Sequence, residues 1–293
     1  MPRQNIFVVE ETTLDELKAA LKLATTEELQ QITQILFHRR FNPLDYWQTP
    51  EPLSIQSQNW DAWIDSVDRR FRYLAADGMT VLRGRTHRVS YREILIQVCH
   101  YLKIPYSQRM NTTDIEAEIF LHLVSKAWDK LSLAERSSLQ AKIGRSLSKA
   151  NPPEALPINI QHEPLKILLK GSSVLAVSSI LKPWLLKHIA RQFALHFATY
   201  QATKTALIKG GTAAVAGLQS QLALQAAKRG MVANAARYGA ARSVLGVLGP
   251  VMWGYFIADL GWKAIATNYN RIIPIIFTLA QIRLTRGEHW ATV

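Results

Sequence analysis

Apolar side chains recur along this chain at the three-to-four-residue spacing of helices, and no run of alternating apolar and polar positions competes with them. Leu29, Ile32, Ile35 and Leu36 draw one such stripe. Thr25 or Thr26 can start that helix, with Glu27 and Glu28 placed in its first turn. Upstream, Thr12 or Thr13 can cap a shorter helix, Glu16 standing at capping-box spacing from Thr13. Pro43, Pro50 and Pro52 then interrupt the pattern, because proline lacks the amide hydrogen a helix interior needs.

The next stripe, Trp60, Ile64, Val67, Phe71 and Leu74, predicts a helix over 60–76. Asp61, Asp65, Asp68, Arg69 and Arg72 fall on its other side and are expected to face water rather than a metal ion. A basic loop with Arg83, Arg85, His87 and Arg88 follows; it could grip a phosphate backbone or simply be solvated. Ile94, Leu95, Val98 and Leu102 then mark a core face. Thr113 with Glu116, and Ser132 with Glu135, are two further capping-box spacings that open the next two helices. The fold class expected from all this is all-α.

Residues 151–164 hold four prolines and form the best boundary in the chain, after which alanine, glycine, leucine and lysine take over. We therefore expect a soluble helical domain over 1–150, a proline-rich linker over 151–164 and a basic, apolar helical domain over 165–293. In the last of these, Lys166, Lys170, Lys182, Lys187 and Arg191 are spread among Ile, Leu, Val and Trp184. Such a helix can lie in a membrane interface with its cations at the headgroups, or on a bundle with its cations in water. Pro183 is expected to begin a helix there or to kink one. Ala198, Ala202, Ala206, Gly210 and Ala214 recur every four residues, a small-residue ridge against which a second helix can pack closely.

Residues 243–282 carry only three charged side chains, Asp259, Lys263 and Arg271. Their two uncharged pieces, 243–258 and 272–282, fall short of the roughly 20 apolar residues that a spanning helix needs. A tightly packing helical hairpin with a basic rim fits them better than an anchor. Trp184, together with Trp253, Tyr255, Phe256, Tyr269 and Pro274 of this stretch, is the candidate membrane or partner face. Lys166, Lys170, Lys182, Lys187 and Arg191 are the candidate contacts to an anionic surface.

The formal net charge of +13 sharpens that picture through its placement, +2 over 1–150 against +11 over 151–293. Basic charge on the apolar half points to an anionic membrane surface or a protein partner, and away from nucleic acid. One cysteine, Cys99, excludes an intrachain disulfide and a thiol-rich metal site, and is expected to be a core thiol. The first residues lack the apolar run of a secretory signal, so a cytoplasmic place, peripheral or re-entrant at a membrane, is expected. There is no phosphate loop of the Walker type, no GxGxxG, no HExxH and no GxSxG. No catalytic, cofactor or metal residue is expected, and the reading leans away from an enzyme.

Two blocks carry a family resemblance. Residues 91–104 followed by 110–130 form the first; Leu248, Gly249, Pro250 and Val251, then Tyr269, Pro274 and the QIRLTR run at 281–286 form the second. Together with the ATTEELQQITQIL segment at 24–36, their order resembles the YaaW-like family of bacterial proteins, although here Asn270 stands between Tyr269 and Arg271. The middle of that family is similar to the ubiquinol–cytochrome c chaperone group. The resemblance implies a helical, chaperone-like assembly factor near a membrane and supplies no catalytic residue. A membrane-perturbing effector with a conditionally inserting hairpin is the alternative, with nucleic-acid binding behind it.

Overall fold

A computed structural model describes residues 15–38, 49–156, 165, 181–196 and 269–286. The protein is all-α: among the described residues every regular element is a helix. In chain order these are α1 (Glu16–Lys22), α2 (Thr26–Phe37), α3 (Pro52–Gln56), α4 (Trp60–Ala75), α5 (Gly78–Leu82), α6 (Tyr91–Leu102), α7 (Thr112–Lys130), α8 (Leu133–Lys149), α9 (181–196) and α10 (Tyr269–Arg286), with a 3-10 turn at Thr86–Arg88.

Local chemistry sets most of the helix starts. Thr25 and Glu28 cap α2 reciprocally, as Ser90 and Glu93 cap α6 and Ser132 and Glu135 cap α8, each pair satisfying two backbone amides that the helix cannot. At two starts the expected caps are replaced. Asp15, not Thr12 or Thr13, accepts from the amides of Leu17 and Lys18. Asn111, not Thr113, accepts from Asp114 N and begins α7. Glu116 is thereby released from capping and turned into the core, with none of its surface exposed.

α10 lies in the middle of the described helices. It packs against α1, α2, α4, α6 and α7, and every residue from Arg271 to Ile282 is buried. A helix enclosed on all sides has to be apolar on all sides, which explains why Ile272–Ile282 shows no polar face. Phe277 stacks on Phe120 of α7 with ring centroids 5.0 Å apart, and Tyr269 stacks on Tyr101 of α6 at 4.4 Å. α7 is nearly as enclosed, with Ile115, Ala117, Ile119, Phe120, Leu121, Leu123 and Val124 all buried. α9 turns Leu185, Leu186, Ile189 and Phe193 inward, Phe193 meeting Trp128 of α7. Pro183 sits in the first described turn of α9.

One core therefore runs through both sides of the proline-rich stretch. Leu165, Leu181, Ile189 and the isoleucines of α10 belong to the same buried cluster as Leu29, Phe71 and Leu95. The small-residue ridge at 198–214 and the first piece of the expected hairpin, 243–258, lie outside the described residues. Among the described residues no helix is long and apolar enough to cross a membrane.

Candidate functional site

The C-terminal helix is tied to the N-terminal helices by three arginines whose partners are mostly backbone carbonyls and buried carboxylates. Near its start, Arg271 donates to Leu36 O at 3.4 Å and to His38 O at 2.7 Å, closing the C-terminal end of α2. At its other end Arg286 donates to Leu23 O at 3.0 Å and grips both carboxylate oxygens of Glu28, one of them at 2.7 Å. Glu28 thus serves two functions, capping α2 through Thr25 N at 2.8 Å and anchoring α10. A planar guanidinium suits such two-point contacts better than an ammonium would.

Between them lies the least satisfied point of the core. Arg283 donates to Glu16 O at 2.9 Å, and its Nε stands 3.2 Å from Glu116 Oε2 as an ion pair. Tyr91 Oη, both Glu116 oxygens and Arg283 Nε are buried without an aligned hydrogen bond. Burial pushes the Glu116 carboxyl up to about 7, Arg283 opposing the rise and the charge of Glu16 adding to it. Burial likewise raises the Tyr91 phenol well above its usual range, with Glu116 contributing. Tyr91 is 2% exposed and Glu116 0%, so neither group reaches the surface. The arrangement is a helix clamp whose strength depends on a proton.

A second ionic cluster holds α1 to α4. Arg72 donates to both oxygens of Asp15 at 2.8 Å, to Asp68 Oδ1 at 2.8 Å and to Val89 O. Asp68 and Arg72 are 6% and 7% exposed, which corrects the expectation that both face water. Burial raises the Asp68 carboxyl, Arg72 partly countering it. Asp61 and Arg69 are exposed as expected, while Asp65 pairs with Lys18 at 2.8 Å. Trp63 takes the core place expected of Trp60, its indole donating to Thr33 Oγ1 at 2.7 Å, and Trp60 is left 37% exposed. Among the described residues no three His, Cys, Asp or Glu side chains come together as metal donors.

The residues singled out in the sequence separate into three groups. Lys187 and Arg191 are exposed on α9, and Trp184, half-buried one turn before, packs on His188 with ring centroids 4.5 Å apart. Lys182 is not free for an anionic surface, because its Nζ reaches Glu118 of α7 at 3.2 Å. Pro274 lies inside the enclosed α10 and presents no surface, a correction that follows from five helices surrounding it, and Tyr269 is half-buried on Tyr101. Trp253, Tyr255, Phe256, Lys166 and Lys170 lie outside the described residues. Cys99 is buried and its thiol is pushed up to about 12 by desolvation, so it is a poor nucleophile, and its neighbour His100 turns outward to Tyr106 Oη at 3.0 Å.

Sequence reasoning missed the clamp entirely. The one available signal was three arginines at the two ends of an otherwise apolar helix, which are costly to bury unless carboxylates or carbonyls wait for them. Comparison of the chain with family models, with curated proteins and with solved structures finds no match.

Proposed function

We propose that this is a non-enzymatic, membrane-associated interaction protein, chaperone-like or assisting assembly, which docks peripherally on an anionic membrane surface. The observation that carries this reading is the two-sidedness of α9. Its inner side is bound to the core through Leu185, Leu186, Ile189 and Phe193, while its outer side offers Lys187 and Arg191 one turn apart, beside Trp184. Cations next to a half-buried indole are the composition that lies well at a headgroup boundary. Burial and the neighbouring Arg191 and Lys187 lower the His188 imidazole, so the lasting positive charge is that of the lysine and the arginine. The excess of +11 over residues 151–293 acts in the same direction. The resemblance to YaaW-like proteins, and through them to a chaperone of a membrane complex, is consistent with work at such a surface.

Flotation with vesicles of phosphatidylcholine alone, and with equal parts phosphatidylglycerol, tests the reading. The full chain is expected to float only with the anionic vesicles and to be released by salt. Neutralising Lys187→Gln and Arg191→Gln together is expected to weaken binding about 25-fold, at about fivefold per cation. A chain that ignores anionic vesicles at low salt would overturn the proposal.

A further inference from the structure

Within the first half of the chain, where the sequence places almost none of the net charge, one segment shows water an apolar tip. α5 has no buried residue; Met79 is 57% exposed and Leu82 84% exposed. Short as it is, the segment is firmly built. Asp77 caps it twice, Oδ1 accepting from Thr80 N at 2.9 Å and Oδ2 from the Thr80 hydroxyl at 2.8 Å, and these bonds hold the Asp77 carboxyl below its usual range. Gly84, at φ +61°, makes the left-handed turn that lets Arg85 N reach Thr80 O at 3.1 Å. The 3-10 turn behind it rests on α4, and Arg72 clamps the foot of the loop at Val89 O.

Around this tip the cations face outward. Arg83, Arg85 and Arg88 are exposed with His87, and from Gly78 to Arg92 the sequence has no acidic residue. A single exposed aliphatic side chain such as Leu133 needs no cover, but Met79 and Leu82 stand three positions apart on one helical turn and so form a joint apolar contact. Basic side chains beside them require the covering partner to be anionic as well as oily. A bilayer with anionic headgroups meets both demands at once: aliphatic side chains enter the acyl boundary while guanidinium groups pair with phosphates. Single-stranded nucleic acid could engage the arginines and the His87 imidazole, but it leaves the aliphatic side chains of Met79 and Leu82 in water.

We infer that the tip formed by Met79 and Leu82, with the exposed Arg83, Arg85 and Arg88 following it in the same loop, is a membrane-inserting contact that engages anionic phospholipid. This rests on the peripheral docking argued above, and adds to it a second foothold on a different part of the chain.

The tip can be tested with a single environment-sensitive fluorophore on Leu82→Cys in the full chain. Cys99 is buried and its thiol resists ionisation, so the label goes to position 82. With vesicles of equal parts phosphatidylcholine and phosphatidylglycerol the emission is expected to move to the blue and to be quenched by nitroxide-bearing lipid. Arg83→Gln with Arg85→Gln is expected to lower vesicle affinity about 25-fold. Circular dichroism should be unchanged, since these side chains are exposed. A chain that floats with anionic vesicles while the label stays in water overturns the tip and leaves the α9 reading standing. A chain that does not float overturns both. A blue shift with single-stranded RNA and none with vesicles overturns the lipid assignment.

Discussion

Glu116 makes the stability of this fold depend on a proton. Its carboxyl titrates near 7 in the folded chain against an ordinary value of 4.5. The folded state therefore binds the proton more tightly than the unfolded state, and the stability it confers is full below about pH 4.5 and lost as pH rises through 7. The loss from this group alone is on the order of 3 kcal/mol. Glu116→Gln mimics the protonated form, so the variant and the parent are expected to unfold alike at low pH and to diverge in the variant's favour above neutrality. Urea denaturation across that range reads the difference directly. It also separates Glu116 from Asp68, whose raised carboxyl acts with the same sign, and from the lowered imidazoles of His122, His188 and His196, which act with the opposite sign. A constant difference between the two proteins across the range would count against the assignment. At this scale the sequence was partly legible. A capping box was expected from Thr113 and Glu116, yet Asn111 offers the better cap two residues earlier, and spacing alone does not say which of two competent side chains wins.

Helix starts were legible at Thr25 with Glu28 and at Ser132 with Glu135, because the partners are local, whereas the equally local box of Ser90 with Glu93 was not expected. Buried faces were legible wherever a helix is half-covered, as along Leu29, Ile32 and Leu36 of α2. On α4 the same reasoning misplaced Trp60, Asp68 and Arg72. Their positions depend on what α1, α2 and the Val89 loop bring to the helix, which no periodicity within α4 encodes. α10 was recognised as unlike a surface helix, but the backbone and carboxylate partners of its arginines on α1 and α2 lie more than two hundred residues away in sequence, and its ring partners on α6 and α7 are also remote. Its energetics can be measured by substitution. Phe277→Ala removes a fully buried ring stacked on Phe120 and is expected to cost about 3–5 kcal/mol. Arg286→Ala leaves Glu28 charged and buried and is expected to cost a similar 3–5 kcal/mol. Leu133→Ala, 84% exposed, should stay within about 0.5 kcal/mol of the parent. Equal losses for all three in chemical denaturation would contradict the enclosed position of α10.

For the molecule as a whole, the proline-rich stretch at 151–164 marks a change of composition, but the buried core continues across it. A fragment ending at residue 156 would leave bare the sides of α1, α2, α4, α6 and α7 that α10 covers. Such a fragment is expected to lack a cooperative unfolding transition and to bind a hydrophobic dye, in contrast to the full chain. A sharp transition in the fragment, at the stability of the parent, would show that the first half has a sufficient core of its own. The charge asymmetry that directed attention to the second half survives, yet the apolar tip at Met79 and Leu82 lies in the first, beside the basic loop whose arginines the sequence had already marked.

The contact of Arg283 with Glu16 joins positions 267 residues apart. During synthesis, at about 5–20 residues per second, α1 and α2 emerge tens of seconds before the helix that completes their packing exists. For that interval α1 and α2 have α3 and α4 against them, but the sides that α10 covers stay bare, and long loop closure makes its final docking slow. Whatever shields them while they wait, whether a chaperone or the membrane surface itself, acts on this protein before the protein can act on anything else.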